Sequence, residues 1–343
     1  MERPTGRTTL TARARAPPCG EEVAGNKHQQ ARTTSPGVGV EKPTALSKAQ
    51  IHHTFVAVCA LRLVERGELE VDAAVQRYRP EFTARATVRQ LLAHQAGVVA
   101  LDAPAPTELF YDWDGMCRRL AAQPPVWEPG TAHGESALFY GHLVGELVRR
   151  IDGRSVGSFL RDEICEPLGL DFAIGLSPFD QRRAVELTGL DEDFRGPVAG
   201  EPELYRRAIS NPAGARDAAV VNSARWRAAE IPAINGHGTA RGIAGFYAAL
   251  LDGTALTPTL LAEATSVQAS GIDQVFGEPN AFGLGFGIDE NGFGMGGLGG
   301  SYGGASRDGY AIALVTGSVG SFDRATRVEN AVRSCLGLAP LVD

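Results

Sequence analysis

The sequence predicts an α+β fold, on three observations. Helical patterns crowd the middle of the chain, strand patterns gather near its end, and no internal repeat divides it. A helical region inserted between parts of one sheet accounts for that order. At 343 residues, 43% of them apolar and 21% charged, the chain has the material for one large core.

The elements read in order. Residues 1–48 are rich in Arg, Thr, Pro and Gly, and stretches such as TTSPGVGVEKP carry turn residues rather than core residues. This segment is expected to be disordered, loosely docked or non-native, without two alternating strands, and the domain proper to span 49–343. FVAVCALRLVERG is apolar on nearly every face and reads as a buried helix closed by Gly67. ATVRQLLAHQAG predicts a short helix capped by Thr87 and stopped at Gly97, and TELFYDWDGMCRRLAAQ another, ended by Pro124. ALFYGHLVGELVRRIDG and VGSFLRDEICEPLG continue the helical region, with TARGIAGFYAALLDG and PTLLAEA beyond it. FGLGFGID alternates like a strand, YAIALVTG reads as a buried one, and DRATRVENAVRSCLG closes the chain as a helix.

Several function classes are disfavoured at once. A net charge of -7 argues against nonspecific nucleic-acid binding, and no apolar run is long enough to span a membrane. Five scattered cysteines form neither a C-x-x-C pair nor a metal-ligand spacing, which suits a reducing, cytoplasmic setting. All three lysines, Lys27, Lys42 and Lys48, precede residue 49, so the compositional break coincides with the start of the first helix.

Five stretches taken together resemble the serine β-lactamase and penicillin-binding-protein superfamily, in its class C-like and esterase branch. They are LRLVERGELEVDAAVQRYRPEF, TVRQLLAHQAGV, PPVWEPGTAHG, LVGELVRRIDGRSVGSFLRDEICEPLGLDF and FGMGGLGGS, in that family's order. The resemblance implies a β-lactamase/transpeptidase-like antiparallel sheet flanked by helices. It also implies acyl-enzyme hydrolysis of a small ester, amide or β-lactam, without a metal or organic cofactor. In that chemistry a serine and a lysine stand one helical turn apart as S-x-x-K, a tyrosine serves the leaving group, and a third motif borders the substrate.

Each motif departs from the pattern. Gln50 and His53 occupy the S-x-x-K positions, and no S-x-x-K occurs anywhere in the chain. Ser47 and Lys48 are adjacent, a spacing that does not bring side chains together on a helix. Glu135 follows the His133–Gly134 pair where the family often has tyrosine. With Ser136 it is either part of a rearranged site or the cap of the following helix. Tyr140, five residues on, is expected to point elsewhere. Met295 stands in place of the third motif's histidine, while Gly297, Gly299, Gly300 and Ser301 keep a glycine pattern suited to close substrate approach. GGSYG, around Ser301, matches the G-x-S-x-G elbow but lacks the helix that motif requires. His237, in NGHGT, reads as a loop residue and His94 as a packing residue near Gly97. The candidate catalytic set is thus Ser47, Lys48, His53, Glu135 and Ser136, in a serine hydrolase expected to be impaired. The alternative is a non-catalytic protein that keeps the cleft for a ligand or a docking partner.

Overall fold

The computed structural model describes residues 9–14, 47–48, 52–190, 202–297, 299–321 and 323–341. Two antiparallel sheets organise it. The larger has the strand order β1-β10-β9-β8-β7-β6-β5, formed by Thr9–Ala14 (β1), Ala269–Ile272 (β5), Pro279–Phe282 (β6), Gly287–Ile288 (β7), Gly292–Gly296 (β8), Tyr302–Ser306 (β9) and Tyr310–Val315 (β10). The smaller joins Ser47–Lys48 (β2), Gly236–Gly238 (β4) and Phe172–Ile174 (β3) in the order β2-β4-β3. Between β2 and β5 runs the helical region, which gives the α+β fold expected of the sequence.

Helix α1, His52–Glu65, is buried along its length because its apolar residues leave no polar stripe, and Gly67 in the left-handed region ends its turn. It packs on α4 (Tyr140–Asp152), on α5 (Val156–Leu160) and on β8, and α3 (Trp113–Ala122) packs on α4 in turn. Phe55 fixes the direction of α1. The ring stacks at 3.9 Å on Phe172 of β3 and at 3.9 Å on Phe246 of the helix Ala240–Leu251. That latter helix lies across β1, β9 and β10, and the C-terminal helix Asp323–Cys335 packs on β10.

The structure departs from the sequence reading in several places. Residues 1–48 were expected to be disordered or loosely docked, without two alternating strands, yet Thr9–Ala14 pairs with β10 from Thr9 opposite Val315 to Ala14 opposite Tyr310. The pattern TLTARA is short and mildly apolar, and pairing with a fully buried strand supplies what its own propensity lacks. FGLGFGID is a turn rather than a strand. β6 ends at Phe282, and only Gly287–Ile288 rejoins the sheet as β7. Gly285 sits at φ +84°, where a Cβ would collide with the Ala57 methyl and the Tyr140 hydroxyl, so the turn presses on α1. His237 is in β4 rather than a loop, opposite Lys48 and Ala173.

Helix α2 (Val88–Leu92) has the Thr87 cap, closed into a capping box by Gln90, but it stops well before Gly97. The stop is His94, a non-glycine residue at φ +59°.

Candidate functional site

An open groove of about 490 Å3 crosses strands β6 to β9, a volume suited to a small organic ligand. Glu135 forms one wall; Phe282, Gly287, Gly294, Met295 and Tyr302 form much of the rest. Among the described residues lining it there is no serine, threonine, cysteine or lysine.

Behind Glu135 stands the first turn of α1. His53 Nδ1 lies 3.5 Å from Glu135 Oε1, with the two side chains 3% and 22% exposed. The pair closes a ring cluster in which His53 lies 4.7 Å from Tyr140 and 5.4 Å from His94, and His94 lies 4.5 Å from Phe282. Such surroundings penalise charge on either partner. Burial pulls His53 down to about 4, partly offset by a hydrogen bond to the Ala137 backbone. Burial, reinforced by the negative charge of Asp273, pushes the Glu135 carboxyl up to about 8. Both shifts favour the uncharged pair, a neutral imidazole beside a protonated carboxyl group.

Asp273, fully buried between β5 and β6, holds this arrangement from below. Its Oδ2 accepts from the Glu135 backbone N–H at 2.9 Å and from Asn280 Nδ2 at 3.0 Å. Its Oδ1 accepts from the backbone N–H groups of Val275 and Phe276 at 2.7 and 2.9 Å. Asn280 Oδ1 in turn meets His133 Nε2 at 2.7 Å, so one chain of hydrogen bonds fixes both ends of the His133–Glu135 segment. On the far side the Ser136 N–H donates to His94 Nδ1 at 3.2 Å, which leaves the His94 proton on Nε2. Burial keeps that imidazole neutral far below its ordinary value.

The candidates from sequence separate into two groups. Glu135 and Met295 line the groove, and His53 stands behind Glu135. Ser136 does not reach it and does not cap a helix. α4 begins at Tyr140, and the Ser136 hydroxyl donates to the Val98 carbonyl at 3.1 Å. Tyr140 does not point away as expected. Because it opens a new helix, its ring reaches His53 while its hydroxyl donates to the Leu92 carbonyl. Gly297, Gly299, Gly300 and Ser301 form the tight turn after β8 rather than the groove wall, with the Gly300 N–H bonded to the Gly297 carbonyl. Ser301 is buried, accepts the Thr316 N–H at 3.2 Å and leads into strand β9, which excludes an elbow followed by a helix. Ser47 and Lys48 form a strand opposite Gly238 and His237, not part of a helix, and Gln50 lies outside the described residues. Asp273, Asn280, His133 and Tyr302 were missed. Asp273 belongs to the turn-forming stretch GIDQVFGEPN, a signal for a loop but not for its contact with Glu135.

Residues 53–333 match the family model described as Beta-lactamase. The chain belongs to the β-lactamase family. A solved family VIII carboxylesterase is 30% identical, with 85% of this chain and 84% of that one covered and a TM-score of 0.77. A penicillin-binding protein homologue from Caulobacter crescentus is 33% identical over 86% of this chain and 84% of its own, with a TM-score of 0.74. The esterase/beta-lactamase LipL of Mycobacterium tuberculosis (strain ATCC 25618 / H37Rv) is 33% identical over 207 residues, which are 56% of this chain and 47% of LipL. The chain thus spans about half the length of that curated relative. The β-lactamase/transpeptidase-like fold read from the five motifs is the observed one. Among the described residues no helix is long and apolar enough to cross a membrane, and no metal-binding cluster of His, Cys, Asp or Glu is present.

The raised Glu135 carboxyl makes a stability prediction. Between the unfolded value of 4.5 and about 8, the folded state binds the extra proton, so stability falls as pH rises through that window. Glu135→Gln, neutral throughout, escapes this loss. Its melting temperature is expected to gain on the parent from about pH 5 to pH 8 and to hold a constant lead above. Parallel melting curves across pH would contradict this.

Proposed function

We propose that the groove binds a small ester- or amide-bearing molecule and that this β-lactamase-family protein does not process it through an acyl-serine. One observation supports the reading: His53 and Glu135, read from the sequence at the family's lysine and tyrosine positions, stand 3.5 Å apart, with burial pulling the imidazole down to about 4. An uncharged imidazole so far below its ordinary value is a poor acceptor for a hydroxyl proton at neutral pH. Met295, read from the sequence at the third motif's histidine position, brings no titratable group to the groove lining. Loss of the nucleophile alone costs about 10^6-fold in turnover in a well-studied serine protease. The apolar walls supplied by Phe282, Ile288 and Met295 suit an acyl group. A reducing compartment fits the free thiols of Cys59, Cys117 and Cys165, which are buried, and of Cys335, which is exposed.

The test is intact-protein mass after incubation with a fluorophosphonate, beside melting curves with benzylpenicillin. The mass is expected to stay unchanged while the melting temperature rises with ligand concentration. A single adduct mapped to Ser47, or to any other serine, would overturn the reading.

A further inference from the structure

We propose that Glu135 is a general base that delivers water directly to the acyl carbon of an ester held in the groove. The inference rests on the reading of the groove as a non-acylating ester site and supplies the chemistry that reading leaves open. Glu135 is the carboxyl group that both lines the groove and has a buried partner behind it. Glu135 Oε1 lies 3.5 Å from His53 Nδ1, and among the described residues the second oxygen makes no hydrogen bond, which leaves it for a water molecule. The Asp273 carboxylate anchors the Glu135 backbone at 2.9 Å, so the base is fixed at its main chain.

The step balances without any further reactant. The ionised carboxylate takes a proton from water as the water oxygen bonds to the acyl carbon. The tetrahedral adduct then collapses, the ester C–O bond breaks, and the proton passes from Glu135 to the departing alkoxide. Ester and water become acid and alcohol, and the carboxylate is regenerated. A short apolar acyl group fits the Phe282, Ile288 and Met295 walls.

The charged and titratable groups facing Glu135 are His53 on α1, Asp273 between β5 and β6, and Asp289 and Tyr302 on the groove lining. His53 loses its charge far below neutrality, and burial moves Tyr302 well above its ordinary value. The ionisation that switches the base on is therefore that of Glu135. Its carboxyl is pushed up to about 8 by burial and by Asp273, which sets the pH range of the activity.

The test uses the full chain with p-nitrophenyl butyrate, buffer-corrected, from pH 6 to 9.5, with and without fluorophosphonate. The expected rate climbs about tenfold per pH unit and levels off above about pH 8, the untreated and treated proteins behaving alike. Glu135→Gln is expected to lose about 100-fold or more while melting as a folded protein. Should that variant keep the parent rate, or the parent profile be flat across pH 8, the inference fails. Folded protein that binds benzylpenicillin but turns over no ester at any pH sinks the inference and leaves the binding reading intact. Fluorophosphonate inactivation with an adduct sinks both.

Discussion

Asp273→Ala is expected to destabilise the fold by about 3–5 kcal/mol and to disorganise the groove wall. The estimate follows from the contacts. Four N–H donors converge on one buried carboxylate, and its loss strands donors that each cost about 1–3 kcal/mol to leave unpaired. Asp273→Asn separates charge from shape. Its amide nitrogen must face either the Glu135 N–H and Asn280 Nδ2 or the Val275 and Phe276 N–H groups, so one donor meets donors in both rotamers. The asparagine variant is therefore expected to recover less than half of the loss. It also removes the negative charge that helps hold Glu135 protonated, so the Glu135 carboxyl should titrate lower than in the parent. Urea unfolding with an unchanged slope reads the first effect, and the pH dependence of ester turnover reads the second. An asparagine variant as stable as the parent would show that the carboxylate charge contributes nothing to the turn.

Why was so much of this molecule legible beforehand, and Asp273 not? The helices could be read because their signals are local. Thr87 and Gln90 form the box that opens α2, Thr239 caps the helix Ala240–Leu251, and Pro258 begins the helix Pro258–Ala264 where the sequence places it. The buried strand Tyr310–Val315 could be read because all six residues are buried and its run is apolar. The errors fall where tertiary contact outweighs local pattern. Thr9–Ala14 is a strand because β10 offers an edge, and FGLGFGID turns because Gly283 and Gly285 bring it against Ala264 and Ala57. His94 ends α2 in the left-handed region, with its ring taking the Ser136 N–H, a contact 42 residues away. In the candidate site, residue types were visible and their neighbours were not. Glu135 and His53 were singled out as misfits in their motifs, and the fold brings these two together. Ser47, Ser136 and Ser301 were singled out for their chemistry alone, and hydrogen bonds to Val98 and from Thr316 turn the latter two into structural groups.

Phe55→Ala is the second large effect, expected to cost about 3–5 kcal/mol. Phe55 is fully buried and carries two aromatic stacks at 3.9 Å, each worth about 0.5–1.5 kcal/mol beyond the area it buries. Its ring joins three parts of the fold at one point: α1, the small sheet through Phe172, and the helix over the large sheet through Phe246. A cavity at that junction cannot close by shifting one side chain, because the two neighbouring rings are held by different elements. His53 lies two residues earlier, and the His52 ring lies 3.2 and 3.1 Å from the Ala233 and Gly236 carbonyls, donating its single N–H to one of them. Loosening α1 at Phe55 therefore reaches the His53–Glu135 contact without touching either residue. Phe55→Leu, which keeps most of the apolar volume but neither stack, should lose less than half as much stability. A comparable loss in both variants would assign the effect to ring stacking, and a loss below about 1 kcal/mol in the alanine variant would mean that α1 is anchored elsewhere. The groove reports separately: if Phe55 orients His53, the pH dependence of the Phe55→Ala melting temperature above pH 5 should flatten towards that of Glu135→Gln. The carboxyl would by then have lost the buried surroundings that keep it protonated.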